Sequence, residues 1–231
     1  KVVGGDFSEL MVGNVHRFCS KFLFEQGRIP ADSAIIDDEE AVSIIADYRN
    51  EDEEGVTRDF NRYKGYQTII FFQHFIYQME HQHPWKYYLH PESFTDDDRE
   101  AVKHICASQK IEYDEQAVVN IYHHAQEYMD EANAPGLDGK TADRIRVLLW
   151  KMYYANCYAR YKEENHLFDF EDLLLYTYDI YRSDPTCKRY PWIQVDEVQD
   201  LNGMQLAIID LLTAEDNPMV MYLGDEQQAI F

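Results

Sequence analysis

The chain has 231 residues, 45% of them apolar and 14% aromatic, which is enough for a large domain with a buried core. Its formal net charge of -22 opposes broad binding to the phosphate backbones of nucleic acids. No run of about 18 apolar residues exists, which excludes a transmembrane helix. The four cysteines form no CxxC pair, so we expect neither a zinc ribbon nor a disulfide framework, but a protein of the reducing cytoplasm. The chain starts at Lys1, without Met or a signal segment, and we expect it to be a piece of a longer protein.

Apolar residues at helical spacing predict three main helices in the first two thirds of the chain. The first is VHRFCSKFL, which ends at Gly27 and Pro30. The second, YQTIIFFQHFIYQME, is apolar almost all round, which favours a packed core over a strand or an aromatic surface that stacks on bases. The third is the long stretch TADRIRVLLWKMYYANCYARYKEEN.

Two features of this region have alternative interpretations. Residues 37–59 hold ten acids, which favours a solvated helix and loop over a surface for a basic partner. His81 and His83 are two residues apart, but no carboxylate or cysteine stands at a persuasive distance in sequence, so we do not expect a metal there.

The last third of the chain predicts a strand, a helix and a second strand. RYPWIQV and NPMVMYLGD are short apolar runs that stop at acids, as buried parallel strands do. Because ligands bind at the carboxyl ends of such strands, Asp196, Glu197 and Asp225 become candidate site residues. One of two adjacent acids at that edge typically holds Mg²⁺, and the next activates the water that attacks a γ-phosphate. Gln228 offers a neutral amide that could hydrogen-bond a γ-phosphate. The alternative for Asp196 and Glu197 is that they are structural acids at a strand end, and the alternative for Asp225 and Gln228 is a Gly-Asp turn followed by exposed glutamines.

Four blocks resemble the UvrD/Rep family of superfamily 1 DNA helicases. VDEVQD and LGDEQQAIF resemble helicase motifs II and III, and FDFEDLL resembles the family's DFDDLL segment. VGNVHRFCSKFL resembles the VGTFHSFC block, which contacts single-stranded DNA in the family. The blocks occur in family order and together cover about a third of the chain.

The resemblance implies an α/β fold, a partial RecA-like P-loop NTPase parallel sheet with a large, mostly α-helical insertion. Residues 1–27 and 166–231 would belong to RecA-like domain 1A, and residues 28–165 to the insertion, subdomain 1B.

The resemblance also implies roles for single residues. Asp196 corresponds to the Mg²⁺ ligand, Glu197 to the catalytic base, and Gln228, with Asp225, to the nucleotide-binding and catalytic positions of motif III. The remaining roles are DNA contact for His16 and Asn14, and coupling of the site to DNA or to a partner domain for Gln199 and Asp200.

The segment APGLDGKT, residues 134–141, resembles a phosphate-binding loop, but its context argues against that function. Such a loop needs a strand before it, whereas helical and polar residues precede this one. Asp138 adds negative charge where phosphates would lie. We therefore interpret the segment as a turn between two helices, broken at Gly136 and Gly139, with Thr141 as the N-cap.

Two functions remain open at this level. The first is part of an ATP-dependent DNA helicase that uses ATP and Mg²⁺ to translocate on and unwind single- or double-stranded DNA, in repair or recombination. Without motif I and the second RecA-like domain, we expect residues 1–231 alone to be inactive. The second is an acidic helical module that holds a protein partner and has lost motor activity. A GxGKT-type loop upstream of Lys1 would favour the helicase, and its absence would favour the binding module. Related enzymes carry a nuclease domain after the helicase, and residues 1–231 do not indicate whether one follows here.

Overall fold

The structure is a computed structural model that describes residues 10–216 and 218–225. It is a mixed α/β fold in which helices predominate over small parallel sheets. The α-helices are α1 (Val15–Glu25), α2 (Asp38–Tyr48), α3 (Glu53–Arg58), α4 (Phe60–Glu80), α5 (Asp96–Gln109), α6 (Glu115–His123), α7 (Gly139–Glu164), α8 (Phe170–Ser183) and α9 (Gly203–Leu212). The strands are β1 (Ala34–Ile35), β2 (Leu167–Phe168), β3 (Trp192–Val195) and β4 (Met219–Tyr222). None of the helices among these residues combines the length and the apolar content needed to cross a bilayer.

The chain divides into two compact units. Unit one comprises Lys1–Asp32 and Phe170–Phe231, and unit two comprises Ser33–Asp169. The boundaries predicted from sequence, after residues 27 and 165, differ from this division by five and four residues. The assignment of the units to subdomains 1A and 1B stays a prediction.

Unit two begins and ends on neighbouring parallel strands. Ala34 and Ile35 of β1 pair with Leu167 and Phe168 of β2, and the N–H of Ile36 donates to the carbonyl oxygen of Phe168 at 2.9 Å. The chain therefore enters and leaves this unit at one small sheet.

Helices α4 and α7 contribute much of the core of unit two. The predicted apolar stripes of both helices are buried, while Tyr153 of α7 is only partly buried. These buried residues are Phe72, Phe75, Ile76 and Met79 of α4, and Ile145, Leu148, Leu149, Met152 and Cys157 of α7. TIIFF is thus helical and not a strand. Helix α2 also packs into this core through Ala41, Val42, Ile45 and Ala46, so the acidic segment is solvated on only part of its surface.

Aspartates explain where many of the helices begin. Asp37, Asp52, Asp59, Asp114 and Asp138 precede α2, α3, α4, α6 and α7 respectively, and each accepts backbone N–H groups of the first turn. A carboxylate suits this position because it satisfies unpaired N–H groups and faces the positive end of the helix dipole. Part of the acidic excess of the chain therefore has a structural role.

A buried charged network also holds unit two together. The Asp169 carboxylate accepts hydrogen bonds from Lys162 at 2.7 Å and from the Tyr158 hydroxyl at 2.7 Å. It also lies 2.9 Å from Nε2 of His74, and Lys162 donates to Gln73 at 3.1 Å. Burial by itself raises the pKa of Asp169, but its interactions with His74 and Lys162 outweigh that effect and hold the pKa well below its usual range.

In unit one, α1 packs against α8, with the rings of Phe22 and Tyr181 4.8 Å apart. The helix α1 ends near Gly27, which has a φ of +59°, as predicted. The predicted strand, helix and strand of the last third are confirmed as β3, α9 and β4, and the two strands are parallel neighbours.

The prediction that these two strands are buried was wrong. Trp192 is 50% exposed and Met219 is 60% exposed, and of the eight strand residues only Val195 is buried. The reason is that the apolar residues of the strands lie on both faces of a sheet of two strands, and the described part of unit one leaves most of both faces uncovered. A parallel sheet extending beyond β3 and β4, as in a RecA-like fold, therefore stays a prediction.

Candidate functional site

The candidate site lies where β3 and β4 end. The strands pair in register from Trp192 opposite Met219 to Val195 opposite Tyr222. The N–H of Leu223 donates to the carbonyl oxygen of Val195 at 2.8 Å. Because the strands are parallel, the residues that follow them emerge at the same edge of the sheet, as the sequence predicted for Asp196, Glu197 and Asp225.

The two adjacent acids after β3 are both exposed. One carboxylate oxygen of Asp196, Oδ1, accepts the N–H of Glu197 at 3.0 Å. Glu197 has a φ of +51° and a ψ of +44°, in the left-handed region that non-glycine residues seldom occupy.

Gln199 joins the segment after β3 to the segment after β4. Its Nε2 donates to Oε2 of Glu197 at 2.6 Å, and its Oε1 accepts the N–H of Asp225 at 3.3 Å. The backbone adds a further link, because the N–H of Val198 donates to the carbonyl oxygen of Leu223 at 3.0 Å. The structure therefore brings Glu197, Gln199 and the backbone of Asp225 together.

Asp200 is not part of this contact. It closes a short 3₁₀ turn, Val198–Asp200, in which its N–H donates to the carbonyl oxygen of Glu197 at 3.0 Å, and it is exposed. Gln228 lies outside the described residues.

Gly224 also belongs to this site, although it was not predicted from the sequence. A Cβ atom at this position would lie 2.6 Å from Oε1 of Gln199 and 2.7 Å from Cγ1 of Val198, closer than real Cβ atoms approach. The turn after β4 approaches the 3₁₀ turn this closely because residue 224 has no side chain. The Gly-Asp pair in LGD was visible in the sequence, but the partner of the glycine was not.

The two predicted DNA-contact residues lie at the start of α1. Asn14 is the N-cap of this helix, and its Oδ1 accepts the N–H of Arg17 at 2.8 Å. The side-chain carbonyl oxygen of Asn14 therefore caps the helix, and its NH₂ group does not take part in the cap. The ring of His16 meets the ring of Phe170 edge to face, with centroids 5.9 Å apart. Burial lowers the pKa of His16, which favours the neutral form of its imidazole. Phe170, which begins α8, was not singled out from sequence although it lies in the FDFEDLL block.

Residues 134–141 form a turn between helical segments, as predicted. A 3₁₀ helix, Met129–Asn133, precedes the turn, and Gly136 has a φ of +90°. Asp138, and not Thr141, is the N-cap of α7, so the predicted cap was wrong. Its carboxylate accepts the N–H groups of Lys140 and Thr141 at 3.0 and 3.1 Å, and the Thr141 hydroxyl at 2.7 Å.

These hydrogen bonds, with the one from the Thr141 hydroxyl foremost, lower the pKa of Asp138. A phosphate-binding loop would offer the same N–H groups to a phosphate. In this turn the Asp138 carboxylate already accepts the N–H groups of Lys140 and Thr141 that a phosphate would need.

The carboxylates at the end of β3 fit a divalent cation by their chemistry. Mg²⁺ prefers hard oxygen ligands and keeps several of its waters, so one or two carboxylates suffice for it. Asp196 uses Oδ1 for the backbone N–H of Glu197, which leaves its second oxygen as the candidate ligand.

Comparisons with known proteins agree with the sequence motifs. The sequence model of the UvrD/REP helicase N-terminal domain matches residues 1–231. DNA helicase II of Escherichia coli is 36% identical over 87 residues, which are 36% of this chain and 12% of that protein. A probable DNA helicase II homolog of Mycoplasma capricolum is 23% identical over 150 residues, which are 59% of this chain and 20% of that protein.

The ATP-dependent DNA helicase PcrA of Leuconostoc citreum is 32% identical over 85 residues, which are 33% of this chain and 11% of that protein. The matched regions thus cover between 11% and 20% of the length of these three relatives. Because the family match extends over the whole chain, the chain belongs to the UvrD/REP helicase N-terminal domain family.

Proposed function

We propose that this chain is part of the first motor domain of an ATP-dependent DNA helicase of the UvrD/Rep type. The observation that carries this proposal is the meeting of Glu197, Gln199 and the Gly224-Asp225 turn at the carboxyl edge of two parallel strands. In this proposal unit one is part of a RecA-like domain, and unit two is its helical insertion.

The two acids after β3 divide the chemistry between them. Asp196 would hold Mg²⁺ through a carboxylate oxygen, directly or through water, and the ion would supply positive charge against the phosphates of ATP. Glu197 orients the attacking water and accepts its proton. Asp225 and Gln228 contribute to the nucleotide side of the site, with Gln228 hydrogen-bonded to the γ-phosphate.

The DNA side of the proposal involves the start of α1. The imidazole of His16 donates a hydrogen bond to a phosphate oxygen, a contact that a neutral ring can make through its N–H group. The amide nitrogen of Asn14 is the group left for DNA after its oxygen has capped the helix. Gln199 and Asp200 couple the nucleotide site to movement on single- or double-stranded DNA.

The test is ATP hydrolysis by the full-length protein that contains this chain. Glu197→Gln should keep ATP and Mg²⁺ binding but lower kcat by about 10²- to 10⁴-fold, the usual contribution of a general base. The matched control, Glu215→Gln, removes the charge of an exposed glutamate of unit one and should keep wild-type turnover. Wild-type turnover in the Glu197 variant would remove Glu197 as the base.

The polypeptide 1–231 by itself should neither hydrolyse ATP nor unwind DNA. Its one Gly-Lys-Thr sequence, residues 139–141, starts a helix that Asp138 caps. Lys140 therefore lies in the first turn of a capped helix and not in a loop that grips the β- and γ-phosphates. Mg²⁺-dependent hydrolysis by this polypeptide that Glu197→Gln abolishes would contradict this part of the proposal.

A second candidate function is an acidic module that binds a protein partner. The net charge of -22 favours it, although several of the acids cap helices instead of forming an open surface. A full-length protein that binds no ATP and yet captures a basic partner through unit two would support this second function over the first.

A further inference from the structure

We propose that the side-chain amide of Gln199 is a positioning group that fixes the orientation of Glu197 according to the position of the turn after β4. This inference rests on the proposed function, because it assigns Glu197 the role of base. It goes further by naming the contact that orients the base, and by assigning to Gly224 the space that the contact needs.

The two ends of the amide have different partners, and the chemistry of each partner fixes which end faces it. The Glu197 carboxylate only accepts hydrogen bonds, so the NH₂ group of Gln199 must face it, at 2.6 Å. The backbone N–H of Asp225 only donates, so the carbonyl oxygen of Gln199 must face it, at 3.3 Å. No rotated amide satisfies both partners, and therefore one side chain connects the carboxylate after β3 to the backbone after β4.

The connection is useful because Glu197 is exposed. A free glutamate side chain at the surface samples several rotamers, and holding one of them costs conformational entropy. The hydrogen bond from Gln199 selects an orientation for the carboxylate before ATP and water arrive. The same amide is partly buried, and its own position depends on the N–H of Asp225.

Gly224 is the second part of this device. The turn after β4 lies against the 3₁₀ turn so closely that a methyl group at residue 224 would overlap both Oε1 of Gln199 and Cγ1 of Val198. Two backbone hydrogen bonds, from Leu223 to Val195 and from Val198 to Leu223, hold the same close approach. A shift of the turn after β4 therefore changes the partner of Gln199, and with it the orientation of Glu197.

Two substitutions of Gln199 in the full-length protein separate positioning from a general structural role. Gln199→Ala removes both hydrogen bonds and should lower kcat by about 10- to 100-fold while the KM for ATP changes less than about threefold, because misplacing a reacting group costs rate more than binding. Gln199→Glu retains the acceptor for Asp225 but sets a carboxylate against Glu197, so its kcat at pH 8 should be at or below that of Gln199→Ala.

The split between kcat and KM gives the sharper readout. A positioning role lowers kcat in both Gln199 variants and leaves the KM for ATP within about threefold of wild type, whereas a general loss of structure at the site raises KM as well. Wild-type kcat in Gln199→Ala, or a rise in KM that matches the fall in kcat, would overturn the proposal.

A structural measurement in the same protein does not depend on activity. Hydrogen exchange of the Asp225 amide should be faster in Gln199→Ala, near wild type in Gln199→Glu, and faster in Gly224→Ala, where the added methyl separates the turns. The Leu223 amide, bonded to Val195, serves as the internal control for Gln199→Ala. Unchanged exchange of Asp225 in Gln199→Ala would overturn the contact itself.

The outcomes separate this inference from the proposed function. Loss of turnover in Glu197→Gln together with wild-type kcat in both Gln199 variants would reject the positioning role and leave the proposed function standing. Full turnover in Glu197→Gln would reject the proposed function, and with it the role of Gln199 in orienting a base, even if the exchange of Asp225 followed the expected order.

Discussion

At the scale of single residues, the left-handed backbone of Glu197 should lower the stability of the folded chain. An L-residue in the left-handed region costs roughly 1–2 kcal/mol relative to the right-handed one, because its Cβ crowds the following carbonyl oxygen. Glycine avoids this crowding, but it loses about 0.5–1 kcal/mol more backbone entropy on folding than alanine. Glu197 has a φ of +51°, so the first effect should exceed the second at this position.

We therefore expect Glu197→Gly to be more stable than Glu197→Ala by about 1 kcal/mol, measured as free energy of unfolding in urea. Both variants lack the carboxylate and its hydrogen bond from Gln199, so their difference isolates the backbone. The control pair is Ala207 and Ala207→Gly within α9, where the order should be reversed and alanine favoured by about 1 kcal/mol. An alanine variant at residue 197 as stable as the glycine variant would argue against the left-handed backbone.

The buried carboxylate of Asp169 is the second residue whose energetics the structure defines. Its folded pKa lies below its ordinary value of 3.8. A group with a depressed folded pKa contributes stability above its unfolded pKa, and that contribution is lost as the pH falls through the folded pKa. The stabilisation from Asp169 should thus be complete near pH 5 and should shrink below pH 3.8.

Asp169→Asn should lower the free energy of unfolding by about 3–5 kcal/mol near pH 5, because Lys162 would remain buried without its carboxylate. The difference from wild type should narrow below pH 3.8. Denaturant titrations at pH 3 and pH 5 measure both effects, with Asp47→Asn, an exposed acid of α2, as the charge-matched control. A deficit that is constant over this range would contradict the ionised state of Asp169 in the folded protein.

At the scale of elements, the start of α7 decides how residues 134–141 are interpreted. Asp138→Ala should destabilise unit two by about 1 kcal/mol through loss of the N-cap. Lys140→Ala should leave both stability and ATP hydrolysis of the full-length protein near wild type, since Lys140 is a first-turn residue of a capped helix. Thermal unfolding and steady-state hydrolysis measure the two variants. Loss of ATP binding in Lys140→Ala would restore this segment as a nucleotide loop.

The elements differ in how well the sequence predicts them, and the differences have physical causes. Helices α4 and α7 follow from long apolar periodic stretches that only a helix buries on one face. The start of α7 was predicted at Thr141, because threonine is a good cap, but Asp138 accepts the N–H groups of Lys140 and Thr141, so the helix already begins at Gly139. The burial of β3 and β4 was predicted from their apolar residues alone, whereas it depends on what covers the sheet.

Contacts between side chains distant in sequence were not predictable in the same way. His74 and Asp169 are 95 residues apart, and neither spacing nor composition connects them. The pairing of Gln199 with the Asp225 backbone depends on the register of β3 with β4 and on the missing side chain of Gly224. The parallel arrangement of β3 and β4 places the acids at one edge of the sheet, whereas the register of the pairing determines which residues they contact.

At the scale of the whole molecule, the chain consists of an interrupted unit and a continuous one. Unit two has its own hydrophobic core, formed by residues between Ile36 and Leu167, and its two ends meet at the β1–β2 sheet. A compact segment with its own core and neighbouring ends meets the usual conditions for folding alone. The insertion boundaries predicted from sequence, residues 28–165, would cut this unit before β2 and before Asp169.

We therefore expect residues 33–169, produced alone, to unfold cooperatively and to give a helical circular dichroism spectrum. Residues 28–165 are the control segment of similar length, and they lack both β2 and the carboxylate that pairs with Lys162. Removing the Asp169 carboxylate from this buried lysine costs about 3–5 kcal/mol, a large part of the stability of a small domain. The segment 28–165 should therefore unfold at a much lower urea concentration than 33–169, or bind ANS as a loosely packed state. Equal stability of the two segments would mean that neither the small sheet nor the charged network holds this unit together.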